Sequence, residues 1–218
     1  MEQTKGIIFD LDGTLADTLP LCLLSFQEAV EKVSGNRPSK EEVEAFWGYS
    51  ETGIVKNLYP QNWEECFEAF LDVYQKNHSM CCELFDGMIE VLDSLKQNSF
   101  KIALVTGKGE DSCRITLSEF GIKKYFDIVE TGSEIGSIKP DCILRVLEEW
   151  GIEAHETYYV GDSVTDMTDS KQVKVKTIAA AWAQTAKKEL LEAQNPDEIF
   201  YSVQEFSKWV KNGIKSRV

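Results

Sequence analysis

The chain has 218 residues and a formal net charge of −14, with 43% hydrophobic and 11% aromatic residues. That acidity argues against nucleic acid and anionic membranes, which need lysine and arginine to displace counterions. The hydrophobic content supports a packed core of one α/β domain, with or without a smaller insert.

Taken in chain order, Ile7, Ile8 and Phe9 form a short apolar run that reads as a buried strand. It leads into Asp10-Leu11-Asp12-Gly13-Thr14. If the chain stays extended, alternation puts Asp10 and Asp12 on one side. Residues 17–79 hold no strand-like run. They carry helical patches at about 19–33, 39–47, 50–58 and 62–78, broken at 34–38, Gly48 and Pro60.

Beyond Cys82 the pattern alternates. A helix is expected over 87–97, a strand over 101–107, a helix over 110–120 and a strand near 126–130. Then follow a helix over 140–150, a strand over 157–161, a helix from about 163, a strand near 175–181, and helices at 184–193 and 202–212. This alternation predicts an α/β fold with a parallel sheet covered by helices on both faces. The block after the first strand becomes an inserted all-helical cap, at 16–83, with the core drawn from 1–15 and 84–218. Parallel sheets bind ligands beyond the carboxyl ends of their strands, so the insert is expected to lie over the site as a lid.

No run approaches the ~20 apolar residues of a membrane span. Residues 1–10 carry no signal-peptide pattern, and six cysteines without a CxxC pair read as reduced thiols. The expected location is therefore cytoplasmic.

Four strand ends collect the chemistry: the Asp10 loop, Thr106-Gly107-Lys108, the Lys139-Pro140 helix start, and Asp162 with Asp166 after the fourth strand. Four carboxylates in one cleft repel and need a cation. Hard oxygen ligands without His or Cys suit Mg2+, which takes one or two carboxylates and then a substrate phosphate. In this reading Asp10 attacks a phosphoryl group and forms an aspartyl-phosphate. Asp12 protonates the leaving oxygen and later activates water. Gly13 permits close backbone approach. Thr106 and the main chain at Leu11, Gly13, Gly107 and Lys108 hold phosphoryl oxygens, while Lys139 neutralises charge. Asp162 completes the metal site, and Asp166 acts either as a ligand through water or as the partner of Lys139.

DLDGT, the Thr after an apolar strand, Lys-Pro and GDxxxD, in this order, resemble the four motifs of the haloacid dehalogenase superfamily. The nearest pattern is the phosphoglycolate-phosphatase-like branch, and the insert is similar to that superfamily's first cap class. The resemblance implies a Rossmann-like core, Mg2+, and phosphoryl transfer through an aspartyl intermediate. It also implies Asp10, the main-chain carbonyl of Asp12, and Asp162 as metal ligands, and the catalytic roles given above rest on this resemblance as much as on spacing.

The reading that follows is a Mg2+-dependent phosphatase acting on a small phosphorylated metabolite, as a monomer or homodimer. A sugar-phosphate mutase is the alternative, though Cys22 stands near the place where that branch commonly has a histidine. A receiver-like signalling module is further off, since it is shorter and lacks the cap. In the cap, Trp47 and Tyr49 either pack internally or face substrate. The loop 46–53 holds no Lys or Arg, which leaves Lys56 or Arg37 to reach an anionic leaving group. His78 and His155 are expected to be surface or structural residues.

Overall fold

The computed structural model describes residues 5–213. Its centre is a six-stranded, all-parallel sheet built from β1 (Gly6–Phe9), β4 (Lys101–Val105), β5 (Ile128–Glu130), β6 (Thr157–Gly161), β7 (Lys176–Ala180) and β8 (Glu198–Phe200), in the order β5-β4-β1-β6-β7-β8. β1 lies in the middle, in register with β4 from Gly6↔Lys101 to Phe9↔Leu104 and with β6 from Gly6↔Thr157 to Phe9↔Val160. All four of its residues are buried, as a short apolar run in a sheet covered on both faces should be.

Alternation along β1 divides the core in two. Ile7 and Phe9 pack with Met88, Val91, Leu92 and Leu95 of α5 (Met88–Gln97) and with Val203, Phe206 and Val210 of α10 (Val203–Gly213). Ile8 faces the other way, against Cys142, Ile143, Val146, Leu147 and Trp150 of α7 (Lys139–Trp150). The remaining core helices are α6 (Glu110–Glu119), α8 (Val164–Gln172) and α9 (Lys188–Ala193).

Between β1 and α5 the chain leaves the sheet through a two-stranded antiparallel ribbon, β2 (Ala16–Asp17) with β3 (Glu83–Leu84), paired Ala16↔Leu84 and Asp17↔Glu83. The segment between these strands is helical: α1 (Leu19–Ser34), α2 (Lys40–Glu44), α3 (Glu51–Leu58) and α4 (Trp63–Cys81). Its own core centres on Phe26, which stacks on Phe70 at 4.4 Å, and on Phe70 stacking against Tyr74 at 5.6 Å. α1 ends at Gly35, whose left-handed φ of 77° lets its N–H close on Glu31 O. Ser39 and Glu42 form a capping box that starts α2.

The architecture is the expected one; several details differ. β8 and the β2–β3 ribbon were not anticipated. The first core strand after the insert stops at Val105, because Thr106 turns into a loop in which Lys108 N–H reaches Thr106 Oγ1. α2 ends at Glu44 rather than 47, since the chain turns through Gly48 at a φ of 106°. α9 begins at Lys188 rather than 184, after a turn closed by Ala186 N–H on Ala183 O. No helix among the described residues is long and apolar enough to cross a membrane.

Candidate active site

Asp10 follows the last residue of β1, Thr106 the last of β4 and Asp162 the last of β6, so three neighbouring strands deliver them to one edge. Lys139 opens α7 with Pro140 behind it in the first turn, and Asp166 lies in the first turn of α8. There Lys139 Nζ donates to Asp10 Oδ2 at 2.9 Å and to Asp166 Oδ1 at 2.5 Å. Asp10, Asp162 and Asp166 each present an oxygen within 4.8 Å of the others.

Asp166 is fully buried and its oxygens are occupied. Oδ1 also accepts from Tyr159 Oη at 3.2 Å, and Oδ2 accepts from Ser163 N–H at 3.0 Å and Ser163 Oγ at 2.6 Å. Ser163 and Asp166 thus make a capping box that starts α8 and aims the carboxylate at Lys139.

Charge is out of balance here. Burial pushes Asp10 up to about 6, with Lys139 pulling against the rise and Asp166 adding to it. Burial, then Asp166 and Asp10, hold Asp162 well above the usual carboxylate range. For Lys139, burial opposes the charge but the two aspartates outweigh it and keep the amine protonated. One ammonium therefore serves three carboxylates, an all-oxygen donor set that fits a hard divalent cation. Because Asp166 is already committed to Lys139, Tyr159 and Ser163, Asp10 and Asp162 are the side chains with capacity to hold one.

The other sequence candidates divide between this cluster and its flank. Thr14 Oγ1 donates to Asp162 Oδ1 at 3.3 Å, and Trp182 Nε1 supports the same loop through Thr14 O at 3.0 Å. Leu11 N–H donates to Asp10 Oδ1 at 2.7 Å, and Gly13 N–H to Ala16 O at 2.9 Å, so both amides are engaged inside the loop. Gly13 has a φ of 75°, and a Cβ there would lie 2.2 Å from Asp162 Oδ2; only glycine fits. Gly107 follows buried Thr106 and leads to Lys108.

Asp12 is turned away from the three-acid group. Its carboxylate accepts from Thr18 Oγ1 and lies 3.3 Å from Lys108 Nζ. The Lys108 side chain has no exposed surface. Besides Asp12, its ammonium meets Glu51 at 3.4 Å, Cys22 Sγ at 3.2 Å and the Tyr74 ring at 4.5 Å from the centroid. Burial works against the Lys108 charge, and Asp12 leads the groups that hold its pKa well above the ordinary value. Glu51 also accepts from Gly109 N–H and Ser112 Oγ, each at 2.5 Å.

Sequence reasoning missed Glu51 and Thr18. Glu51 reads as a first-turn acid that favours its own helix, and nothing local marks it as a partner of Lys108. Lys56 and Arg37 do not reach the site: Lys56 pairs with Glu134 and Arg37 with Glu31. Trp47 is 38% exposed and tilts over Phe26, and Tyr49 meets Phe46 edge-on. His78 is wholly buried, bonded to Thr116 Oγ1 at 3.1 Å and packed against Tyr74 and Phe120, hence structural and not a surface residue; His155 is exposed.

Residues 7–180 match the family described as haloacid dehalogenase-like hydrolase. The chain is 27% identical to pyrophosphatase PpaX of Bacillus mycoides, over 90% of this chain and 92% of that one. It is 26% identical to pyrophosphatase PpaX of Halalkalibacterium halodurans, over 99% and 100%. Among solved structures, a predicted phosphoglycolate phosphatase from Haemophilus somnus superposes with a TM-score of 0.80 at 22% identity, covering 95% of this chain and 98% of that one.

Proposed function

The chain belongs to the haloacid dehalogenase-like hydrolases, and we propose that it is a Mg2+-dependent phosphatase that hydrolyses a small phosphorylated metabolite in the cytoplasm through an aspartyl-phosphate on Asp10. The observation that carries this reading is the buried Asp10 beyond the central strand, 2.9 Å from Lys139 and grouped with Asp162. Residues 1–15 and 84–218 then form the catalytic core, and 16–83 the cap.

In this mechanism a carboxylate oxygen of Asp10 attacks phosphorus, and the bond from phosphorus to the leaving oxygen breaks. Asp12 gives its proton to that oxygen. Water, deprotonated by Asp12 in the second half, attacks the same phosphorus and regenerates Asp10. Lys139 balances charge on Asp10 and on the phosphoryl group, held in place by Asp166. Thr106 lines the phosphoryl side. Asp10, Asp162 and the main-chain carbonyl of Asp12 would hold Mg2+. When bound, Mg2+ supplies the positive charge that lets the buried carboxylates ionise together and draws electron density from the phosphoryl oxygens.

Asp10, Thr106 and Lys139 are buried in this arrangement, and in this reading the cap lifts to admit a phosphate ester. The relatives named pyrophosphatases and the neighbour named a phosphoglycolate phosphatase support compact anionic substrates as the first to try. The test is phosphate release from a panel holding pyrophosphate, 2-phosphoglycolate, sugar phosphates and an aryl phosphate. Release is expected with Mg2+, none in excess chelator, and none from Asp10→Asn at unchanged fold. Turnover by Asp10→Asn would remove it as nucleophile.

A further inference from the structure

Asp162 lies against the loop that carries Asp10. A Cβ on Gly13 would come within 2.2 Å of Asp162 Oδ2, and the Thr14 hydroxyl donates to Asp162 Oδ1 at 3.3 Å. Both carboxylate oxygens therefore take their place from residues 13 and 14. Thr14 is wholly buried, and its N–H closes within the loop on Leu11 O at 3.2 Å. Its carbonyl is held from elsewhere in the fold, by the indole N–H of Trp182 at 3.0 Å.

Trp182 stands two residues past β7, and β6 lies between β7 and β1. The indole thus crosses the end of β6, the strand that delivers Asp162, to grip the loop that follows β1. Its ring stacks on Phe206 of α10 at 5.6 Å, and Phe206 meets Phe9, the residue before Asp10, edge-on at 6.2 Å. A phenyl ring could make that stack. What the indole adds is a donor on a buried carbonyl, and without it Thr14 O loses that partner and the loop gains room to shift.

We propose that Trp182 is a positioning residue for the cation site, holding Thr14 so that its hydroxyl sets the Asp162 carboxylate for a divalent ion. The inference rests on the phosphatase reading, in which Asp162 is a Mg2+ ligand, and extends it to a residue outside the four motifs. Trp182 touches no reacting atom; it acts through Thr14 and Asp162. Mg2+ demands near-ideal octahedral geometry, so a displaced ligand weakens binding. Losing such an outer partner typically costs about 10–100-fold in metal affinity.

The experiment reads Mg2+ binding without substrate, from the rise in melting temperature as Mg2+ is added to metal-stripped protein. For Trp182→Phe, which keeps the stack, the Mg2+ concentration at which the rise sets in is expected to increase at least about tenfold. A merely structural role would lower the melting temperature at every Mg2+ concentration and leave that onset where it was. Thr14→Val should lose as much affinity, Thr14→Ser should retain it, and Trp182→Phe combined with Thr14→Val should bind no more weakly than Thr14→Val alone, because both act along one line. An unchanged onset in Trp182→Phe, or losses that add in the double variant, would overturn the proposal and leave the phosphatase reading intact. No Mg2+-dependent rise in the unaltered protein would overturn the Mg2+ assignment and this inference with it. Circular dichroism checks each variant's fold. Should Trp182→Phe not fold, Thr14→Val decides, since valine keeps the shape and removes only the hydroxyl; an onset equal to that of the unaltered protein would then overturn the proposal.

Discussion

As the proposed nucleophile, Asp10 would have to be charged to attack, in a place that resists charge. Its pKa, raised to about 6 chiefly by burial, means the folded chain holds this proton more tightly than the unfolded chain does. Between the ordinary aspartate value of 3.8 and about 6, the folded state therefore binds more protons, and stability falls as pH rises through that window. Asp162, shifted in the same direction, adds to the effect. In chelator, the melting temperature is expected to drop as pH rises through this range, and to drop less in Asp10→Asn. A divalent cation reverses the cost of ionisation, so Mg2+ should raise the melting temperature more near neutrality than at about pH 5. Equal Mg2+ shifts at both pH values would refute the assignment of these carboxylates to the cation.

At the scale of elements, the loop after β4 and the loop after β5 touch backbone to backbone. Gly132 N–H donates to Lys108 O at 2.7 Å, and a Cβ on Gly132 would sit 1.8 Å from Gly107 O. Gly132→Ala is expected to force these loops apart, costing about 1–3 kcal/mol as overpacking does and displacing Thr106 and Lys108 together. A thermal melt and kcat/KM, both lowered, check this. The strands that carry the site were legible because each is an apolar run ending in Asp10, Thr106 or Asp162, and a parallel sheet brings such ends together. What escaped notice was short or distant. The β2 and β3 strands have two residues each, too few to show a period, and β8 is three residues after Pro196-Asp197. The direction of Asp12 was hidden too: alternation applies to a strand, and β1 ends at Phe9, so Asp12 lies in a turn that swings it toward Thr18. Glu51 meets Lys108 through tertiary packing that no local pattern encodes.

For the molecule as a whole, the question is how the two bodies meet. Besides the Glu51 bridge, Ser50 N–H donates to Ser133 O at 2.8 Å, Lys56 pairs with Glu134, and Ile115 of α6 joins the apolar core of the cap. Gly53 rides so close that a Cβ would lie 2.7 Å from Glu134 O. Gly53→Ala sets two scales against each other: it favours helix α3 by up to ~1 kcal/mol yet blocks the cap from seating. The expected result is a larger radius of gyration by small-angle scattering, with reduced turnover and little loss of melting temperature. An unchanged radius with full activity would show that the contact is soft. The β2–β3 ribbon has a consequence of another kind. Outgoing and returning chains are hydrogen-bonded neighbours, so the sheet experiences the whole helical segment as if it were a hairpin loop. The fold can accept a longer, shorter or foreign segment at that doorway without restringing a single strand. New selectivity can in this way be acquired by exchange of a cassette while the chemistry stays where it is.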